Sequence, residues 1–132
     1  MRAHGDRGLT AASAVPCEPT ERDGERLARD FLMGRLTADA VVCANDELAL
    51  GLMLTLRANG VEVPRELSVT GWDDVLAARH VTPALTTVRQ PVRELGAVVV
   101  RRIDQLLGRD DHTLLPGRLP TTVVLRQSCG CG

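Results

Sequence analysis

The sequence predicts an α/β fold in which a parallel sheet is flanked by helices. Two segments, 40–46 and 67–74, each run from an apolar stretch rich in β-branched residues into an acidic turn. Each apolar stretch is too short for an isolated helix and is typical of a buried strand. A helical pattern lies between them, from Asp46 to Asn59. A strand, a helix and a strand in this order form a βαβ unit, whose crossover makes the two strands parallel.

This parallel arrangement predicts where a ligand would bind. Asn45 and Asp46 follow the first predicted strand, and Asp73 and Asp74 follow the second. Ligands of open α/β sheets bind in the crevice outside the carboxyl ends of the strands. We therefore expect acceptor and donor side chains to line one side of a binding cleft at these positions. Asp46 favours the positive end of the helix that follows, so we expect its role to be structural.

The composition indicates one modest domain and excludes several functions. The chain has 132 residues and a net charge of −1, so no global basic field favours binding to nucleic acid. All 16 basic residues are arginine, which excludes Schiff-base chemistry and a phosphate-binding lysine. Aromatic residues make up 2% of the chain, too few for a base-stacking platform. Because we find neither a membrane-spanning stretch nor an apolar signal core, we expect a cytoplasmic location.

The four cysteines do not predict a metal site. Cys43 lies in an apolar strand and is expected to be a small core residue. One residue separates Cys129 from Cys131, whereas zinc-binding pairs have two or more between them. We expect these last residues to be frayed, and we predict no cofactor.

The remaining elements follow from apolar spacing and capping residues. Residues 1–19 are expected to be weakly structured, because glycine and proline interrupt them. Thr20 can cap a helix that runs to about Arg35. After the βαβ unit, the sequence predicts a helical turn at 75–80, a strand at 85–89, a helix from Pro91 to Gly108 and a strand at 121–125.

The helix predicted at 46–59 is apolar on nearly all sides. It carries no charged residue over 48–56, although a helix that covers one side of a sheet needs only one apolar stripe. Its second apolar face is covered either by another part of this chain or by a second subunit. In the second case the helix forms a homodimer interface that contains Leu50, Met53 and Leu54.

Four segments in series resemble motifs of the lactose/galactose-repressor (LacI/GalR) family of bacterial transcription regulators. The segment 41–51 (VVCANDELALG) resembles the family's strand-to-helix motif AND..A.G, and 61–74 (VEVPRELSVTGWDD) resembles VP.D.SV.G.DD. The segment 83–91 (PALTTVRQP) resembles P.LTT..QP, and 126–130 (RQSCG) resembles the closing R.SCG. The four motifs occur in family order and at the family's spacing.

The resemblance implies a type I periplasmic-binding-protein-like fold, with two α/β lobes around a ligand cleft. Residues 20–130 would be a partial effector-binding domain, namely a truncated C-terminal lobe with one strand and helix of the other lobe at 85–108. It implies the sensor of a repressor that responds to a small-molecule effector, here a sugar. Such a regulator would bind operator DNA only through a helix-turn-helix headpiece, which these residues lack.

The resemblance also indicates which residues would bind the effector. Asp73 would accept hydrogen bonds from sugar hydroxyls, or it caps the turn that follows. Asn45 would donate and accept at the same cleft, and it can also be the N-cap of the next helix. Arg2 would be a bidentate ligand in the segment 2–5, which is similar to the family's R..GF motif, with Asp6 where an aromatic residue is usual.

Two other classes of function are alternatives. An extracytoplasmic sugar- or solute-binding protein of the same fold would need a secretion signal, and these residues contain none. An enzyme could hold Mg²⁺ with Asp73 and Asp74. However, no lysine, glycine-rich phosphate loop or nucleophile elbow accompanies them, so we expect no catalytic residues.

Overall fold

A βαβ unit lies at the centre of the molecule. The computed structural model describes residues 14–109 and 114–131. In chain order its elements are α1 (Glu21–Leu32), β1 (Ala40–Val42), α2 (Asp46–Ala58), β2 (Ser68–Thr70), α3 (Leu76–His80), β3 (Thr87–Arg89), α4 (Val92–Leu106), β4 (Thr122–Val124) and a 3₁₀ turn (Gln127–Cys129). The strands β1 and β2 pair in parallel, with Val41 opposite Val69. The predicted parallel βαβ unit is confirmed.

Isolated bridges carry the strand pairing from β2 to β3. Thr70 pairs with Thr86 and Asp73 pairs with Arg89, both in parallel. The fourth strand, β4, then pairs antiparallel with β3. Since β1, β2 and β3 run in the same direction, their carboxyl ends meet at one edge of the molecule.

The helices α1 and α2 pack closely because glycine, which has no side chain, occupies one position of each helix at their contact. A Cβ atom on Gly24 would lie 2.2 Å from the carbonyl oxygen of Leu48. A Cβ atom on Gly51 would lie 2.2 Å from the carbonyl oxygen of Glu21. The last glycine of the AND..A.G segment therefore permits a close helix crossing.

The core lies between this helix pair and the strands. Its fully buried large side chains are Leu52, Met53, Leu56, Leu67, Val69 and Leu85. Cys43 is also in this core, as predicted. Burial raises the pKa of its thiol to about 12, because a thiolate is poorly solvated among apolar side chains.

The sequence predicted where α1 begins but not where it ends. The Thr20 hydroxyl accepts a hydrogen bond from Asp23 N over 3.3 Å, which confirms the predicted N-cap. The helix ends at Leu32 rather than near Arg35. Gly34 follows with a left-handed φ of 69°, a conformation that ends helices.

The 3₁₀ turn is held in place where we expected frayed residues. Ser128 is buried, and its hydroxyl donates to Val69 O over 2.6 Å. The same hydroxyl oxygen accepts from Thr86 N over 2.8 Å. The prediction was wrong because one small polar side chain completes the hydrogen bonding of two strands.

The helix α4 buries none of its side chains against the described part of the chain. Its exposed apolar residues are Val92, Leu95, Val99, Val100, Ile103 and Leu106. An apolar stripe on a helix normally packs against another surface. This helix lies in the segment 85–108 that the resemblance assigns to a second lobe. Among the described residues, no helix has both the length and the apolarity needed to cross a membrane.

Candidate functional site at the carboxyl ends of the strands

Asn45 is the N-cap of α2. Its Oδ1 accepts a hydrogen bond from Leu48 N over 3.0 Å. Its Nδ2 donates to Pro19 O over 2.9 Å, which fastens the chain before α1 to this end of the sheet. The alternative role as a cap is therefore present in the structure. A single N–H of the amide remains for a ligand among the described contacts, so the predicted binding role is still a prediction.

Asp46 joins the start of α2, the segment after β2 and the beginning of β3 from inside the protein. It is completely buried. Its Oδ1 accepts from the Thr87 hydroxyl over 2.5 Å, and its Oδ2 accepts from Val75 N over 2.9 Å. Its backbone N–H donates to Trp72 O over 2.8 Å. These bonds hold the segment after β2 against the start of α2. Asn45 is next to Asp46 in the sequence and Asp73 is next to Trp72, so both lie beside this junction.

The carboxylate of Asp73 lies at the end of β2 and is half-buried. Its Oδ1 accepts a hydrogen bond from Gln90 Nε2 over 2.5 Å, and its backbone N–H donates to Val88 O over 2.9 Å. Its φ is 121°, a conformation uncommon outside glycine. Among the described residues no hydrogen bond reaches Asp73 Oδ2, so this oxygen can accept one from a ligand.

Asp74 has a different environment from its neighbour. Its side chain is 1% exposed. Its Oδ1 accepts from Arg126, and its Oδ2 accepts from Arg89 Nε over 2.6 Å and from Arg79 over 3.3 Å. Burial raises the pKa of this carboxyl, but the hydrogen bonds from Arg126 and Arg89 outweigh that effect and lower the pKa to about 2.

The two adjacent acids differ in how many of their carboxylate oxygens are already hydrogen-bonded. Asp74 has both oxygens engaged by arginine, whereas Asp73 keeps an acceptor. The carboxylates therefore do not form the shared Mg²⁺ site of the enzyme alternative. Arg79 and Arg89 each remain 51% exposed, so positive charge exceeds the single charge of Asp74 at this part of the surface.

Sequence reasoning assigned no site role to Gln90 or to the three arginines, although the motifs P.LTT..QP and R.SCG contain Gln90 and Arg126. Gln90 also follows the third parallel strand, whose end meets the same sheet edge, and this position was a further signal for it. The arginines come from α3, from β3 and from the segment before the 3₁₀ turn. No local pattern assigns them to one acid.

Two of the surface cavities in the described part of the chain lie away from Asn45 and Asp73. One of about 310 Å³ lies at the end of α2 and is lined by Met53, Arg57, Gly60, Val61, Glu62, Val63, Thr82 and Pro83. The other, of about 550 Å³, lies between α4 and residues 114–117.

The remaining predicted residues have different surroundings. Arg2 lies outside the described residues. On α2, Met53 is 2% exposed and belongs to the chain's own core, and Leu50 is partly buried against that core. Leu54 is 45% exposed. Most of this apolar helix is therefore covered within the chain, and Leu54 is the predicted interface residue that faces solvent.

The chain belongs to the family of periplasmic binding protein-like domains, whose family model matches residues 2–129. It is similar to the transcriptional regulator GalR of Salmonella typhimurium strain LT2, with 47% identity over 111 residues. It is also similar to the regulator RegA of Clostridium acetobutylicum, with 35% identity over 91 residues. These matches cover 84% and 69% of this chain but 32% and 27% of the relatives.

Solved structures agree with this assignment. A sugar-binding LacI-family regulator from Escherichia coli, complexed with phosphate, matches with a TM-score of 0.84 and 28% identity over 96% of this chain and 46% of that chain. The regulator CelR in complex with cellobiose matches with a TM-score of 0.80 and 30% identity, over 96% of this chain and 39% of that chain. The chain thus spans about half of these solved chains or less. It resembles the sugar-binding domain of LacI-family repressors, and the predicted family and fold are confirmed.

Proposed function

We propose that this chain is the effector-sensing part of a cytoplasmic LacI-family repressor and that the effector is a sugar. The observation that carries the proposal is Asp73, a half-buried carboxylate at a sheet edge with one oxygen that accepts no hydrogen bond from a described residue. Such an oxygen suits a sugar hydroxyl, which donates one hydrogen bond. The relatives, including a ribose operon repressor of Haemophilus influenzae, favour a sugar and a regulator over a secreted solute-binding protein.

Asn45 and Arg2 complete the proposed ligand contacts. Asn45 would donate its remaining amide N–H while it continues to cap α2. Arg2, which is not among the described residues, would also bind the ligand. The other side of the cleft would come from a second lobe, and the apolar face of α4 is an exposed surface that this lobe would cover.

The contact between Asp73 and Gln90 offers a route from ligand binding to lobe movement. Gln90 lies directly between β3 and the start of α4. A sugar hydroxyl that competes with Gln90 for Asp73 would change how this segment is held. A ligand shifts a conformational equilibrium only through contacts that differ between the two states, and this contact is one that can differ.

The proposed assembly is a homodimer formed through α2, with Leu54 exposed in the contact and Leu50 beside it. Operator DNA would be bound by a headpiece that is not in this chain. We therefore expect the purified chain to bind no operator DNA. A specific nanomolar shift of an operator fragment by the chain alone would contradict this part of the proposal.

The sugar-binding proposal is tested by calorimetric titration and thermal melting of the chain with monosaccharides and disaccharides. We expect weak binding, because part of the cleft is missing, and a melting temperature that rises with the concentration of one sugar. Asp73→Asn should abolish that rise. Asp39→Asn, at an exposed acid away from the site, should preserve it. Equal binding by Asp73→Asn, or no binding of any sugar, would overturn the proposal.

A further inference from the structure

Cys129 and Cys131 are two thiols held beside each other by the turn at the end of the described chain. The Cys131 thiol donates a hydrogen bond to Cys129 O over 3.6 Å. The backbone N–H of Cys131 also donates to Cys129 Sγ over 3.3 Å. Both cysteines are free, Cys129 is half-buried and Cys131 is exposed. This pair therefore has one protected and one accessible sulfur.

Gly130 brings the two thiols together. It has a left-handed φ of 72°, and its N–H donates to Gln127 O over 3.0 Å. The chain consequently turns back after the 3₁₀ turn. Because Ser128 is buried and bonded to Val69 O, Cys129 lies on a fixed base, and only the exposed Cys131 has to rotate to reach it.

The surroundings of Cys129 favour its thiolate. Partial burial raises the pKa of this thiol, but hydrogen bonds from Cys131 and Thr86 outweigh the burial and hold the pKa below its ordinary value. The Thr86 hydroxyl oxygen lies 3.3 Å from Cys129 Sγ. The thiolate is the reactive form of cysteine. The buried Cys43, by contrast, has a pKa raised to about 12 by burial and stays an inert thiol.

We propose that Cys129 and Cys131 are a reversible thiol–disulfide site whose substrates are low-molecular-weight disulfides such as oxidised glutathione. The Cys129 thiolate attacks one sulfur of the disulfide, forms a mixed disulfide and releases one thiolate. Cys131 then loses its proton to water and attacks Cys129 Sγ, which releases the second thiolate. The two released thiolates take up the two protons lost by the cysteines. The protein is oxidised by two electrons, and one small disulfide is reduced to two thiols.

The product would be a labile disulfide. Exposed disulfides have higher reduction potentials than buried structural ones, and Cys131 is exposed. The pair would therefore be reduced in a thiol-rich compartment and would close when the ratio of oxidised to reduced glutathione rises. This property does not depend on which effector the chain binds.

The test equilibrates the full chain at a series of ratios of reduced to oxidised glutathione, traps free thiols by alkylation and identifies the peptides by mass spectrometry. We expect Cys129 and Cys131 to be lost together as one intramolecular disulfide, and to return together on reduction. The Cys17→Ser variant, which removes another half-buried cysteine, should behave in the same way.

The single variants distinguish the roles of the two sulfurs. Cys131→Ser should stop the reaction at the mixed disulfide, so that glutathione accumulates on Cys129. Cys129→Ser should react more slowly, because the remaining thiol lacks the contacts with Thr86. The proposal would be overturned if both cysteines stayed alkylated at the most oxidising ratio, or if they formed only separate glutathione adducts or disulfides between chains.

Discussion

The hydroxyl of Thr87 donates a hydrogen bond of 2.5 Å to Oδ1 of Asp46, across 41 residues of sequence. The second oxygen of this buried carboxylate accepts from Val75 N. One acid thus connects the start of α2, the segment after β2 and the beginning of β3. The edge that carries Asn45 and Asp73 depends on this connection.

The Asp46→Ala substitution should destabilise the protein by about 3 kcal/mol, because it leaves the buried Thr87 hydroxyl and the part-buried Val75 N–H without their acceptor. Urea unfolding followed by circular dichroism measures the loss. Glu47→Ala is the matched control, since Glu47 is also acidic and in the first turn of α2 but is exposed. Equal losses in the two variants would show that the helix dipole, and not the buried junction, explains the effect.

The acid stability of the protein should depend on Asp74. Its pKa is lowered to about 2 in the folded chain, below the ordinary value of 3.8, so folding favours the ionised form. The resulting stability is complete above about pH 4 and is lost as the pH falls toward 2. It amounts to about 2 kcal/mol. Unfolding free energies measured from pH 5 to pH 2 should fall less steeply for Asp74→Asn than for the wild type, and parallel slopes would contradict this assignment.

Replacing a glycine by alanine should have opposite effects at the contact between α1 and α2 and on the exposed face of α4. Gly51→Ala should destabilise the protein by about 1–3 kcal/mol, because its Cβ would overlap the carbonyl oxygen of Glu21. Gly96→Ala, on the exposed face of α4 with no atom within 4 Å of its Cβ, should stabilise α4 by up to about 1 kcal/mol. Thermal melting compares the two variants. A stabilising Gly51→Ala would mean that the helices are not in this close contact.

Substitutions at Asn45 should separate its capping role from its proposed binding role. Asn45→Ala removes the acceptor for Leu48 N and should cost about 1 kcal/mol of stability. Asn45→Ser keeps a cap and should retain more of that stability, but it removes the amide N–H proposed to reach the ligand. If Asn45 binds the sugar, calorimetric titration should show weaker binding by the serine variant. Unchanged affinity would mean that Asn45 caps α2 and does not bind the sugar.

The βαβ unit could be predicted because its signals are local. The β-branched residues of 40–42 and the apolar pattern of 46–58 are read from neighbouring positions, and the crossover then requires parallel strands. Thr20 and Asn45 were predictable as caps for the same reason. The anchoring of Ser128 was not predictable, because its partners on Val69 and Thr86 are 59 and 42 residues away.

The sequence by itself determined the fold class, the family and the sheet edge at which Asn45, Asp73 and Asp74 would lie. Only the tertiary structure decided that Asp74 is saturated by Arg79, Arg89 and Arg126 while Asp73 keeps an oxygen for a ligand. The reason is physical. Secondary structure follows from the spacing of nearby residues, whereas the hydrogen-bond capacity that remains on a side chain depends on distant groups, such as Arg126, 52 residues from Asp74.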